Sequence, residues 1–476
     1  MKTFDMVIIG GGVAGLVAAS GAAQLGAEVA LIDRSPLGGD CLRYGCVPTK
    51  RLIRSAKVCH LVKHASEFGI NANNVTVDFA SVMQTLREVQ AAIAVNDSPE
   101  RFKKMGVEVA FGNGEFTDPQ TFKLGNTSYK GRRFLIATGS SPVTLPIPGL
   151  KEAGALTNVT ALQLTELPPS IAILGAGPIG IEFAQAFGRL GSRVTIIEKF
   201  DRILPREDPE LTSILHKILE GEGVKIDTCT EVKDAALDNG MKVLNAACAT
   251  GDKRYAMDRI MMAIGRSPNV EGLGLDTAGV EHDARKGIAV DRHLRTTERH
   301  IYAAGDCTGG LAFTHVAEYQ AGIVISNALF PFVNRSVDYR VVPWVTYTDP
   351  ELARVGMTEE EARRTHSNVR VYRHPFNAVD RAVIDGSTSG MIKLVCDAKM
   401  RILGAHILGP AAGELIHEYA LAMKAGIPAT KISQTIHAYP TLAQSIKRAS
   451  DIYYRERLFS GRFKKLAQLL IRARRR

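Results

Sequence analysis

One pattern occurs twice in this chain, and it restricts the fold more than any other feature of the sequence. Phe4-Asp5-Met6-Val7-Ile8-Ile9 is a short apolar strand that runs into Gly10-Gly11-Gly12-Val13-Ala14-Gly15. A helix opens at Leu16-Val17-Ala18-Ala19-Ser20, and past Gly26 a second strand, Ala27 to Asp33, ends in an acid. The second copy begins with the strand Ser170 to Leu174 and the turn Gly175-Ala176-Gly177-Pro178-Ile179-Gly180. Its helix passes through Glu182 to Phe187, and its closing strand, Arg193 to Glu198, again ends in an acid. In both copies the acid lies 23 positions after the first glycine. Strand, glycine turn, helix, strand and acid in that order form a dinucleotide-binding unit. Gly10, Gly12 and Gly15, like Gly175, Gly177 and Gly180, allow a tight turn and a close approach of backbone to a pyrophosphate at a helix N-terminus. Asp33 and Glu198 are placed to bind a ribose hydroxyl. Two such units call for two dinucleotides. Glu198 repels a 2′-phosphate and favours NADH at the second site, while Lys199 and Arg202 close behind it leave NADPH open.

A chain of 476 residues exceeds one ordinary domain and suggests two to four. Hydrophobic residues at 45% and charged residues at 23% are ordinary for a globular protein with large cores. No apolar run approaches the roughly 18 residues that cross a bilayer. The N-terminus passes directly into the first strand rather than through a signal peptide, so a cytoplasmic protein is expected. Of seven cysteines, Cys59, Cys229, Cys248, Cys307 and Cys396 are scattered, and only Cys41 and Cys46 form a local pair. In a reducing compartment such a pair is catalytic or metal-binding more often than structural.

The pair sits in Gly38-Gly39-Asp40-Cys41-Leu42-Arg43-Tyr44-Gly45-Cys46-Val47-Pro48-Thr49-Lys50. Its spacing is compatible with a local disulfide opening a helix, whose N-terminus favours the reactive thiolate. Zinc would need two further ligands, and no second CxxC or paired His supplies them nearby. This segment resembles the active-site stretch of the pyridine nucleotide-disulfide oxidoreductases, which include dihydrolipoamide dehydrogenase, glutathione reductase and mercuric reductase. The resemblance implies that Cys46 lies against a flavin as the charge-transfer thiolate and that Cys41 is the interchange thiol. It also implies that Lys50 approaches the flavin N5 region and pairs with Glu182, where a cation stabilises the anionic reduced flavin.

The resemblance runs through nearly the whole chain in the expected order. Ala137-Thr138-Gly139-Ser140 and Ala263-Ile264-Gly265-Arg266 resemble the turns that close the two nucleotide domains, with Thr138, Gly139 and Gly265 near cofactor. Tyr302-Ala303-Ala304-Gly305-Asp306 resembles the second FAD motif, whose Asp306 binds the ribitol chain; His315 is expected to be structural, near the flavin. The implied fold is α/β, with two Rossmann-like dinucleotide-binding domains, for FAD and NAD, and a C-terminal α+β dimerisation domain. The implied boundaries are 1–147 with 266–336 for FAD, 148–265 for NAD(P), 337–456 for the interface domain and 457–476 for a basic tail. FAD, NADH or NADPH, and a homodimer with its active site completed across the interface follow from the same resemblance.

The sequence departs from the family at the proton-handling segment. Dithiol reductases carry a His-Pro-Thr segment with a Glu five residues after the His, and that pair moves the substrate proton. Here Tyr439 stands at the His position and Gln444 at the Glu position. Tyrosine titrates near 10 and is a poor proton shuttle at neutral pH, though it donates hydrogen bonds or contacts a soft metal complex. His437 is two residues earlier, on the same side of an extended segment but about 6.6 Å away, and would serve only with a different local backbone. Tyr439 and the stretch Phe376 to Ala382 resemble mercuric reductase, but no cysteine follows Cys396 to deliver a metal.

The expected function is electron transfer from NAD(P)H through FAD to the Cys41–Cys46 disulfide and on to a disulfide, small or protein-borne, or a soft-metal thiolate. A quinone or small-acceptor reductase and a membrane-associated redox sensor with little turnover are the alternatives. The formal net charge of +10 is concentrated at the C-terminus: seven basic residues and no acid lie between Arg462 and Arg476. With Leu466, Leu469 and Leu470 among them, the tail is suited to the inner face of an anionic membrane. A solvated tail, or one folded on the dimer, is the alternative. No aromatic-basic pattern recurs to suggest nucleic-acid binding.

Overall fold

The computed structural model describes residues 2–459 and 461–475, without the side chain of Arg462. Ser460 and Arg476 of the basic tail therefore lie outside the described residues. The chain divides into two compact units, Met1–Ile197 with Thr230–Asp338, and Glu198–Cys229 with Tyr339–Arg476.

The first unit holds both glycine repeats. β1 (Met6–Ile9) is flanked by β2 (Val29–Asp33), and the parallel sheet continues to Glu108–Phe111 on one side and to Phe134–Ile136 and Ile301–Ala303 on the other. All four residues of β1 are buried, as the continuous apolar run of a strand covered on both faces requires. α1 (Val13–Gln24) returns from β1 and buries Ala14, Leu16, Ala18, Ala19 and Ala22 in a core shared with Ala321, Ile323 and Val324. Its alanines bring it close to the sheet. α2 (Gly39–Arg43), α3 (Cys46–Lys63) and α4 (Phe79–Ala94) follow.

In the second repeat β3 (Ser170–Leu174) runs parallel to both Arg193–Ile197 and Arg259–Met262. α5 (Pro178–Leu190) starts at the second glycine turn. An antiparallel meander, Thr230–Asp238, Met241–Cys248 and Gly251–Met257, shares a core with β3 through Leu244, Ala246 and Tyr255. Thr314–Leu329 is α6.

The second unit is built on a five-stranded antiparallel sheet running in the order 343–346, 351–356, 402–409, 391–396, 370–375. α7 (Ala412–Lys424) and α8 (Gln444–Phe459) cover it, and the buried Tyr419 hydroxyl donates to Ile446 O at 3.1 Å. α9 (Gly461–Ala473) ends the chain. The mixed α/β class is as expected, with parallel sheets around the glycine repeats and an antiparallel sheet in the C-terminal part.

One buried charge in the second unit is fully surrounded. The Lys393 ammonium, 3% exposed, reaches Asp208 at 2.9 Å, Glu210 at 2.9 Å and Glu359 at 3.0 Å. Three carboxylates satisfy an ammonium that burial alone would disfavour. Burial also works against ionised Glu359, but hydrogen bonds from Arg363 and Lys393 and the nearby Lys393 and Arg373 charges outweigh it and hold that carboxyl at about 2.

Candidate active site

Glycine shapes the first turn. Gly10 has φ +111°, and a Cβ there would strike Ala137 O; a Cβ on Gly15 would fall onto Gly10 O. The second copy repeats this, with Gly175 at φ +100° and Gly180 held against Gly175 O. Neither α1 nor α5 has an acid in its first turn or a side-chain cap, so the orphan N–H groups at both N-termini are free to meet an anion. Both turns therefore fit a dinucleotide pyrophosphate. Asp33 ends β2 beside the first turn: its carboxylate accepts from Gly11 N and from Ser35 N, the latter at 2.7 Å. Glu198 is 6% exposed and accepts from Phe200 N at 2.9 Å.

Cys41 lies in α2 and Cys46 opens α3, with only Tyr44 and Gly45 between the two helices. Cys46 is the first residue of α3, behind Gly45, and its Sγ lies 3.5 Å from Thr314 Oγ1 at the start of α6. A hydrogen bond from the Cys41 thiol is the main influence lowering Cys46, to about 6, against burial, with Thr314 and the Lys50 charge assisting. The same bond, together with burial, pushes Cys41 far above an ordinary thiol. The two shifts run in opposite directions, favouring thiolate at Cys46 and thiol at Cys41.

Lys50 follows Cys46 by one helical turn, which puts both side chains on one face of α3. Its Nζ donates to Glu182 Oε2 at 2.9 Å; Glu182 belongs to α5 and is 5% exposed. The sequence pairing of these two residues is realised.

A second polar group joins the closing turns. Asp306 Oδ2 accepts from Ser140 Oγ at 2.6 Å, and Ser140 Oγ accepts in turn from Arg266 Nε at 2.8 Å. Arg266 also pairs with Asp40 at 3.0 Å, directly before Cys41. Burial raises the Asp40 carboxyl, partly offset by Arg266. Thr138 Oγ1 donates to Asn269 O at 2.6 Å; Gly139 and Gly265 hold φ of +69° and +132°. Asp40, Ser140, Arg266 and Thr314 were missed in the sequence because each is joined to the site only through tertiary contact. Arg266 and Ser140 nonetheless sit at the ends of the recognised turns. His315 stacks on Phe313 at 5.3 Å between ring centroids.

In the second unit, Tyr439 is 65% exposed, and a hydrogen bond with Asp380 and its charge raise the phenol above its ordinary value. Gln444 opens α8. His437 is not idle: its Nε2 lies 3.1 Å from Glu418 Oε1, and its Nδ1 lies 3.0 Å from Thr435 O. A His–Glu pair therefore exists, but with Glu418 drawn from α7, 19 positions upstream, where no local sequence signal marks it.

Comparison with known proteins places these observations. The family described as pyridine nucleotide-disulphide oxidoreductase matches residues 4–321, and its dimerisation domain matches residues 342–450. The chain is 34% identical over 447 residues to a mercuric reductase of Bacillus cereus, covering 94% of this chain and 71% of the relative. It is 36% identical over 464 residues to the dihydrolipoyl dehydrogenase of Bacillus subtilis (strain 168), covering 94% and 97%. Among solved structures, the Cu(II) complex of the HOCl-induced flavoprotein disulfide reductase RclA from Escherichia coli matches with a TM-score of 0.85 at 32% identity, covering 93% of this chain and 98% of that one.

Proposed function

The chain belongs to the pyridine nucleotide-disulphide oxidoreductase family, and from that premise we propose which of its own residues carry the chemistry. It is an FAD- and NAD(P)H-dependent oxidoreductase of the disulfide reductase type, with a C-terminal domain that builds a homodimer. Gly10, Gly12, Gly15, Asp33, Thr138, Gly139 and Asp306 are assigned to FAD, and Gly175, Gly177, Gly180, Glu198 and Gly265 to the nicotinamide dinucleotide. Bound FAD supplies the two-electron relay between nicotinamide and disulfide.

The chain's own residues account for the sulfur steps. Reduction of a Cys41–Cys46 disulfide leaves the Cys46 thiolate and the Cys41 thiol that the hydrogen bond between them favours. Cys41, once deprotonated, attacks one sulfur of the acceptor disulfide, forming a mixed disulfide and releasing the first acceptor thiol, which takes up the proton. The Cys46 thiolate then attacks Cys41, reforms the intramolecular disulfide and releases the second acceptor sulfur as a thiolate, which takes a proton from solvent. Lys50, held by Glu182, keeps a positive charge one turn from the Cys46 sulfur. In the homodimer Tyr439 is assigned to the acceptor side, with the His437–Glu418 pair as the acid–base group in place of the family's dyad.

The observation that carries this reading is Cys46 at the head of α3, with Thr314 Oγ1 3.5 Å from its sulfur and Lys50, held by Glu182, one turn further on. Anaerobic titration with NADH tests it. A long-wavelength thiolate-to-flavin absorption band is expected in the wild type and absent in Cys46→Ser; a band that persists in the variant removes Cys46 from the path.

A peripheral position at the inner membrane face, through the basic tail, completes the proposal. Among the described residues no helix is long and apolar enough to cross a membrane, and the charge and exposure of α9 support contact with a bilayer surface.

A further inference from the structure

α9 is 13 residues, about 20 Å of helix at 1.5 Å per residue. At 100° per residue, Phe463, Leu466, Leu469, Leu470 and Ile471 share one broad arc, while Lys464, Lys465, Gln468 and Arg472 occupy the opposite one. Arg474 and Arg475 follow, and no acid occurs from Gly461 onward. Every large apolar side chain of the helix stands between 49% and 65% exposed. Exposed apolar residues scattered singly are normal, but five on one face of one helix form a patch that water does not explain.

Charge decides among occupants. A nucleic acid would use the cations and leave the apolar arc in water. A second copy would bring two strongly basic helices together, and the family's dimerisation domain already ends at residue 450, before α9 begins. An anionic bilayer satisfies both faces at once: headgroups neutralise the lysines and arginines while the leucine face enters the acyl boundary. Gly461, at φ +62° with open space around its missing Cβ, gives the helix a left-handed joint at which to change direction from the chain before it.

We propose that α9 is an in-plane anchor for anionic phospholipid, lying parallel to the membrane with Phe463, Leu466 and Leu470 buried, and that the homodimer presents two such anchors. This deepens the peripheral placement given above and rests on it. Two weak anchors on one particle reinforce each other without any new contact, so binding is reversible for one helix and firm for the pair.

The test uses the full-length FAD-loaded dimer co-sedimented with vesicles of phosphatidylcholine alone or with phosphatidylglycerol. Binding is expected only with phosphatidylglycerol, falling about tenfold or more when salt is raised from about 0.1 M to 1 M. The double variant Leu466→Asp/Leu470→Asp, and separately Lys464→Gln/Lys465→Gln, should each lose vesicle binding while remaining dimeric. Wild-type protein left in the supernatant of anionic vesicles overturns the proposal. So does equal binding to neutral vesicles, or a change of assembly size in the leucine variant, which would make α9 a contact between copies. NADH-dependent disulfide reduction by the same samples in solution separates the two readings. Intact turnover without vesicle binding removes the anchor and the peripheral placement but leaves the catalytic assignment, and vesicle binding without turnover removes the catalytic assignment alone.

Discussion

The cysteine site of the first unit and the Tyr439 region of the second obey different rules. Around Cys41 and Cys46 every expected partner is in place: Lys50 lies a turn away and bonds to Glu182 at 2.9 Å, and Thr314 closes on Cys46. Around Tyr439 the sequence resemblance implies the loss of the family's proton-carrying pair, while His437, two residues earlier, meets Glu418 at 3.1 Å. On the proposed assignment, the electron half of the enzyme keeps the family's residues, while the proton half draws on different positions. Electron transfer demands one sulfur at one place, whereas a proton can be carried by any group of suitable acidity within reach.

Substitutions can break that contrast. The largest effect belongs to Cys46→Ser, which should lower disulfide turnover by at least about three orders of magnitude in steady-state assays. Reduction of a dye that takes electrons directly from flavin should survive in the same protein, and its loss would mean that the site had unfolded. Next comes His437→Ala. If His437 carries the proton, disulfide turnover falls about a hundredfold and the pH dependence of kcat flattens. Tyr439→Phe should cost only a few-fold; a larger loss in Tyr439→Phe than in His437→Ala would invert the assignment. Lys50→Gln is expected to fall between these two, at about tenfold near neutral pH. With Cys46 at about 6, its thiolate builds up as pH rises through that value; removing the cation moves the rise in activity to higher pH. An unshifted profile would deny Lys50 its electrostatic role.

These contrasts also mark where the sequence could and could not be read. Gly10 to Asp33, Gly175 to Glu198 and Cys41 to Lys50 are each contiguous, and the backbone turn or helix that makes them work is encoded locally. Lys50 with Glu182 was legible only because resemblance supplied the pairing across 132 positions. Asp40 with Arg266, Tyr439 with Asp380 and His437 with Glu418 have no such local code. Each is made only when separate segments are brought together by sheet and helix packing.

The smallest expected effect tests the two units against each other under acid. Glu359 is held at about 2 against an ordinary 4.5. A carboxyl depressed on folding stabilises the folded state above its unfolded value, and that contribution is withdrawn as pH falls from about 4.5 toward 2. The second unit should therefore loosen first in that window. Trp344, the chain's single tryptophan, lies in that unit and donates to Glu207 Oε1 at 2.6 Å, so its fluorescence reports the event without labelling. Flavin release preceding the tryptophan change would reverse the order.

The Lys50–Glu182 bond spans from the helix headed by Cys46 to the helix headed by the second glycine turn. It fastens the two helices to each other at a single charged contact, so the cation one turn from the sulfur is held in place by a carboxylate that belongs to the other helix.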